Sequence, residues 1–321
     1  MTRLINFLGL RTPPEEDLVQ ATDKNPKGYW ESESLVAFNT GVLTAVGCDM
    51  RCPVALEPGW ENDARLEALR QQAREVVDRI FPAAPWVWKD PRLCLAFAFW
   101  RSVLPVRPVV VLVNRNPLEI AASTLRVRTE LGKIYTLALW ERYLRQALGQ
   151  IAGVPVLVTN YGDLLSAPLA WCDRTQAFLA SAGVPVHAPR ESDVMTFVDA
   201  HLRHAEFTHD DLAHDPDVSG AQRSLFVALE ELEGGHNDLS APVLPDETPT
   251  TEALLEERRR ALEAKHDLVW LLETEHRSRW WWRIRNSRYL VPARPVYAIA
   301  RRVVKTLSAL GGARSAHMDE R

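Results

Sequence analysis

The chain has 321 residues, 46% of them hydrophobic and 25% charged, with 15 glycines, 21 prolines and four cysteines. That composition excludes a disordered polyelectrolyte, a collagen-like chain and a small disulfide scaffold, and the length suits one large domain or two modest ones. The formal net charge of −4 conceals an asymmetry, because residues 277–321 carry +9 and the rest of the chain −13.

Cys48, Cys52, Cys94 and Cys172 are too sparse for a disulfide framework and lack the paired spacing of a structural zinc site. Reduced, mostly buried thiols and no metal are therefore expected. The apolar start is interrupted by Asn6 and has no small-x-small cleavage site, which argues against a signal peptide. No apolar run reaches the roughly 20 residues of a membrane span, so the expected location is the cytoplasm.

In chain order, residues 2–10 carry the pattern of an amphipathic helix, with Leu4, Ile5 and Leu8 apolar and Gly9 near its end. A loop rich in proline and acids follows, and Gly28-Tyr29-Trp30-Glu31 leads into a helix over 33–46. Residues 61–80 predict a charged amphipathic helix, Trp86–Trp88 a short strand, and 93–104 a buried helix. Pro108–Val113 is apolar throughout and mostly β-branched, as expected of a strand covered on both faces. Asn116 and Pro117 start a helix over 118–128, a second helix covers 134–151, and Val154–Val158 is another buried strand. Strand, helices and strand in that order form a βαβ crossover, hence an α/β class with a parallel sheet, and a helix over 171–182 extends it.

The alternation fades after about 190. The spacing divides the chain into an α/β domain over 1–233, a linker over 234–251, a helix over 252–276 and a basic aromatic tail over 277–321. Leu254, Ala261 and Leu268, with Leu255, Leu262 and Val269, repeat at sevens in that helix, a run so short that it reads as a docked helix rather than a coiled coil.

Arg115 stands at the carboxyl end of a predicted parallel strand, where open α/β sheets bind ligands. With Ser123 two turns into the following helix, a phosphate site is one reading. An ion-paired arginine and a packing serine are the other. Lys89-Asp90-Pro91-Arg92 follows a second strand signal, and both cations there could face an anion at the same sheet edge.

Together, Asp23–Glu31, Trp86–Arg92, Val113–Ser123, Leu139–Tyr143 and Asn160–Leu165 resemble, in order and spacing, the sulfotransferases that use 3′-phosphoadenosine-5′-phosphosulfate (PAPS), particularly their bacterial branch. The resemblance spans about 1–205. It implies a three-layer, P-loop-type fold with a central parallel sheet, to which the helix over 252–276 adds a helical C-terminal extension. By the same resemblance, Arg115 and Ser123 would hold the 3′-phosphate of PAPS, Lys89 would lie near the transferring sulfuryl group, and Arg203 would contact the nucleotide. Glu31 would be the general base, with Asp90 as second choice, and Arg92 would add to the cofactor site. Sulfuryl transfer needs such groups: cations for charge on the bridging oxygen, and a carboxylate for the acceptor's proton.

The resemblance has one departure. The family opens with a strand and a glycine-containing loop that cradles the phosphosulfate, whereas Met1 falls inside the helix that follows that loop. A start placed too far downstream and a degenerate member are the two explanations. The expected activity is therefore sulfuryl transfer to a hydroxyl or amine of a glycan, a lipid-linked molecule or a small molecule. The rivals are a non-catalytic interaction protein of the same fold at the membrane surface, and a nucleotide kinase-like phosphotransferase.

His201, His204, His209 and His214 lie in an acidic stretch but lack a second element to complete a metal site, so an exposed polar segment is expected. In the tail, Trp280-Trp281-Trp282 and later aromatics interleave with arginines. An anionic membrane surface, which would place the chain peripherally at the inner membrane face, and docking onto the acidic body are both open readings. No nucleic-acid motif accompanies the basic stretch, and no nucleic-acid partner is expected.

Overall fold

The computed structural model describes residues 1–23, 25–199 and 202–286. A body, Met1–Arg259, is separate from a second unit that begins at Arg260. The chain opens with helices α1 (Thr2–Phe7), α2 (Glu33–Ala45), α3 (Glu67–Ile80) and α4 (Leu93–Val103), followed by strand β1 (Val110–Asn114). Next come α5 (Pro117–Val127), α6 (Lys133–Gln150), β2 (Val156–Asn160), α7 (Tyr161–Ser166) and α8 (Pro168–Ser181). Then follow α9 (Glu191–Phe197), α10 (His209–His214), α11 (Gly220–Glu231), β3 (Gly234–His236) and α12 (Thr251–Asn286).

Local chemistry sets several of these boundaries. Ser32 caps α2 by accepting from the Leu35 amide, and Asn116 caps α5 by accepting from Leu118 with Pro117 in the first turn. Asn160 ends β2 and at the same residue caps α7 through the Gly162 amide. Reciprocal capping boxes, Thr208 with Asp211 and Ser219 with Gln222, start α10 and α11.

The β1–α5–α6–β2 crossover is parallel, in register from Val110 opposite Val156 to Asn114 opposite Asn160. β3 joins β2 antiparallel, with Val156 opposite His236 and Val158 opposite Gly234. The sheet is therefore small and mixed, in the order β1-β2-β3, rather than a wholly parallel one. Two further sequence expectations change. The stretch read as a linker contributes β3, and Trp86–Trp88 forms only a single parallel bridge, Trp86 to Arg11.

Side chains alternate between the faces of the sheet, as the two-residue period of a strand requires. Val110, Leu112, Val156 and Val158 pack with Leu118, Leu137, Trp140, Leu144 and Leu225 of α5, α6 and α11. Val109, Val111 and Leu157 face the other way, onto Leu4, Leu8, Trp171 and Leu179 of the α1 segment and α8. Both faces are thus covered, which is why these strands read as continuous apolar runs. A third cluster joins α2, α3 and α4 around Leu35, Leu66, Phe99 and Trp100.

On α6 itself, two adjacent charged side chains are buried. Glu141 accepts from Arg145, Gln222 Nε2, the Thr248 amide and Thr251 Oγ1. Arg142 donates to Glu247, Glu252 and the Pro53 carbonyl. A buried ion is tolerated only with such full pairing, and here the pairing pins residues 247–252 to the body. Helix α12 continues past the expected end at 276 to Asn286, and in the second unit Leu268, Val269 and Trp270 are exposed. Of the tail, 277–286 is helical, and 287–321 lie outside the described residues. Among the described residues no helix is long and apolar enough to cross a membrane.

Candidate functional site

Glu31 sits immediately before the N-cap of α2, in a turn shaped by Trp30. Trp30 has φ 59°, the left-handed region, and is the one non-glycine residue there among those described. A bulky residue tolerates that strain only when its surroundings hold it. Its indole donates to the Lys27 carbonyl at 2.7 Å, meets Phe197 edge-on at 6.3 Å, and lies under the Arg3 guanidinium at 4.9 Å. The turn delivers Glu31, nearly buried, to Lys89, whose Nζ donates to Glu31 Oε1. The structure thus joins two residues 58 positions apart that sequence reading assigned separately to base and sulfuryl contact.

Asp90 is differently placed. Its side chain is fully buried, Oδ1 accepts from the Arg92 amide at 2.8 Å and from Arg92 Nη1 at 3.0 Å, and Oδ2 accepts from Asn39 at 2.8 Å. Asn39 in turn accepts from Trp100 Nε1 at 2.7 Å. Asp90 therefore anchors the 89–92 turn to α2 and α4. Arg92 joins the same anchor through its amide and Nη1.

At the carboxyl end of β1, Arg115 donates to Glu119 Oε2 at 2.9 Å and stacks over the Tyr161 ring at 4.4 Å. Arg203 donates to the other oxygen, Glu119 Oε1, at 2.5 Å, and also to Glu206 at 2.9 Å. Burial acts to raise the Glu119 carboxyl pKa, but the Arg203 and Arg115 guanidiniums outweigh it and hold the group below its ordinary value. Hydrogen bonding to Glu119 correspondingly raises Arg203. Ser123 lies one helical turn beyond Glu119 and is exposed. Arg115 and Arg203, both expected at the nucleotide, are thus brought together, and Arg115 is engaged by Glu119.

Sequence reasoning missed Glu119 and Tyr161. The four-residue spacing from Arg115 to Glu119 was a usable signal for the first; nothing local marks Tyr161 as the platform for Arg115. Around these groups several buried polar atoms have no partner among the described residues: Trp88 Nε1, Arg92 Nε, Arg203 Nε and both amide atoms of Asn114. Such atoms are rare in folded proteins, and here they flank the proposed charges.

The histidine stretch is an exposed polar segment as expected, with His209 on Glu230 and His214 on Asp210; His201 lies outside the described residues. Among the described residues no group of side chains is arranged to hold a metal ion. Comparison with known proteins finds no matching family model, no similar curated protein and no similar solved structure.

Proposed function

We propose that the chain is a PAPS-dependent sulfotransferase of the P-loop-type fold, moving a sulfuryl group to a hydroxyl or amine of a glycan, a lipid-linked molecule or a small molecule. The observation that carries this reading is the Lys89–Glu31 pair, a carboxylate and an ammonium in contact at a strained turn. In the reaction the acceptor oxygen or nitrogen bonds to sulfur as the bond from sulfur to the phosphate oxygen breaks. Glu31 takes the acceptor's proton, and Lys89 offsets the negative charge developing on the departing oxygen. Arg115 and Arg203, held side by side on Glu119, supply the guanidiniums for the 3′-phosphate, with the Ser123 hydroxyl exposed on the same helix. The resemblance of the surrounding segments to the family supports these roles, as does the β1–α5–α6–β2 crossover.

Calorimetry with adenosine 3′,5′-bisphosphate tests the donor half. Binding that falls about tenfold or more in Arg115→Ala is expected, as for a lost charge-assisted contact. No heat of binding with the unaltered protein would overturn the reading in favour of a non-catalytic role. For the basic tail we propose contact with the anionic inner membrane face. Flotation on vesicles containing anionic lipid that persists after deletion of 277–321 would exclude it.

A further inference from the structure

A crevice of about 380 Å³ opens where β3 begins, within the size range of small-molecule sites. It is lined by β2 on one side, by Trp171, Thr175 and Phe178 of α8 on another, and by Glu233, Gly234 and Gly235 at the edge of the sheet. The antiparallel pairing stops at Val158 opposite Gly234, while β2 runs on to Asn160. Both glycines have a reason there: Gly234 has φ 124°, and Gly235 lets the Phe178 ring pack against the strand, since a Cβ would lie 2.7 Å from it.

Polar groups in the crevice are unevenly satisfied. The Thr159 hydroxyl accepts from Trp171 Nε1 at 2.8 Å. Thr175 is completely buried, yet its hydroxyl has no partner among the described residues. A buried hydroxyl without a partner is unfavourable, and a ligand atom that meets it relieves that penalty. At the rim, Arg174 donates to Asp163 at 2.9 Å, so its charge is already committed. Glu233, which lines the crevice, has no ion pair of its own among the described residues, and burial together with the neighbouring Asp163 holds its carboxyl above the ordinary value. Arg174 and Glu233 are the charged groups of the lining, and with Arg174 paired to Asp163 the carboxylate of Glu233 is the charge left to a ligand, which favours a cationic headgroup over an anionic one.

We infer that this crevice binds a small primary amine with an aromatic body: the ammonium pairs with Glu233, the ring lies against Trp171 and Phe178, and a hydroxyl on the ring meets Thr175. This site is independent of the sulfuryl-transfer reading and shares none of its residues.

Tyramine is a suitable probe, because it carries the amine, the ring and the hydroxyl. Amide NMR of the full chain titrated with tyramine should show saturable shifts at Thr175, Gly234 and Gly235, with a Kd of about 1 mM or tighter. Phenethylamine, which lacks the hydroxyl, should bind about fivefold more weakly, and Thr175→Val should abolish that difference. Because a buried substitution can disturb folding, the exposed Glu233→Gln provides the second arm, with a loss of about fivefold to tenfold for tyramine. Absence of saturable shifts with tyramine would overturn the inference. So would equal binding of 4-hydroxyphenylacetate, which carries the opposite charge, or tyramine affinity unchanged by Glu233→Gln.

Discussion

Arg203 donates to Glu119 across 84 residues of chain, at 2.5 Å. The carboxylate is 2% exposed, and its second oxygen holds Arg115. One buried acid thus fixes two guanidiniums that would otherwise repel each other at the carboxyl end of β1. The pairing also ties α5 to the segment that follows α9. An anion arriving there meets two arginines already oriented, at the cost of sharing them with Glu119.

Glu119→Gln keeps the size of the side chain and removes its charge. Both arginines are about one-fifth exposed, so water offsets part of the loss. Destabilisation of about 1–2 kcal/mol is expected, measured as a shift in the urea midpoint without a change in slope. Stability equal to that of the unaltered chain would show that the pairing is cosmetic.

The same carboxylate predicts a pH dependence. Its folded pKa is depressed, so its contribution is present above the unfolded value of about 4.3 and is lost as pH falls through the lower, folded value. Asp215 is depressed as well: burial works against it, but its bond from Lys133 and the other nearby donors prevail. Stability of the unaltered chain should therefore fall steeply below about pH 4.3, and that of Glu119→Gln less steeply. Parallel acid-unfolding profiles by circular dichroism would contradict this assignment.

Several features behind these predictions were visible in the residues. Pro108–Val113 and Val154–Val158 announced β1 and β2 because their runs are apolar on both faces, and Asn116-Pro117 marked the start of α5. β3 was not visible, since Gly234-Gly235-His236 has no strand propensity and pairs only because β2 presents an open edge. Lys89, the partner of Glu31, and Arg203, the second partner of Glu119, were hidden for a different reason. Each ion pair closes a loop of tens of residues, and no local period records which cation a carboxylate will meet.

Arg142 offers a test of the C-terminal anchor. Its side chain is 2% exposed and serves Glu247, Glu252 and the Pro53 carbonyl. Arg142→Ala should cost about 3 kcal/mol, because it leaves partners unpaired and empties a packed volume. The loop over 237–250 should also become a protease cleavage site before the rest of the body. Cleavage elsewhere first, or no loss of stability, would place the anchor in other contacts.

All four cysteines should be slow to react in the folded chain. Burial pushes the thiols of Cys48, Cys94 and Cys172 up to about 11, and that of Cys52 is raised for the same reason. At pH 8 the thiolate is then on the order of a thousandth of each of the first three groups. Treatment with a disulfide reagent should label less than one thiol per chain within minutes, and four after denaturation. Rapid labelling of any one of them in the native chain would mark a local opening there.

Gly9 allows backbone strain to be separated from crowding. It follows α1 with φ 105°, donates to the Asn6 carbonyl at 3.0 Å, and lets the chain turn so that Leu8 accepts from the His187 amide at 3.0 Å. A Cβ there would meet the left-handed penalty and also lie 2.8 Å from the His187 ring. Gly183 has φ 81° and open space around it, so Gly183→Ala carries the backbone term alone, about 1–2 kcal/mol. Gly9→Ala should cost more than that, and the excess should disappear when His187→Ala is added. The ring is exposed and can swing away, which limits the excess to about 1 kcal/mol. If Gly9→Ala and Gly183→Ala cost the same, the histidine yields freely and left-handed strain is the whole effect. If His187→Ala fails to relieve a larger cost, the turn itself has shifted, and the bond from His187 to Leu8 should be lost with it.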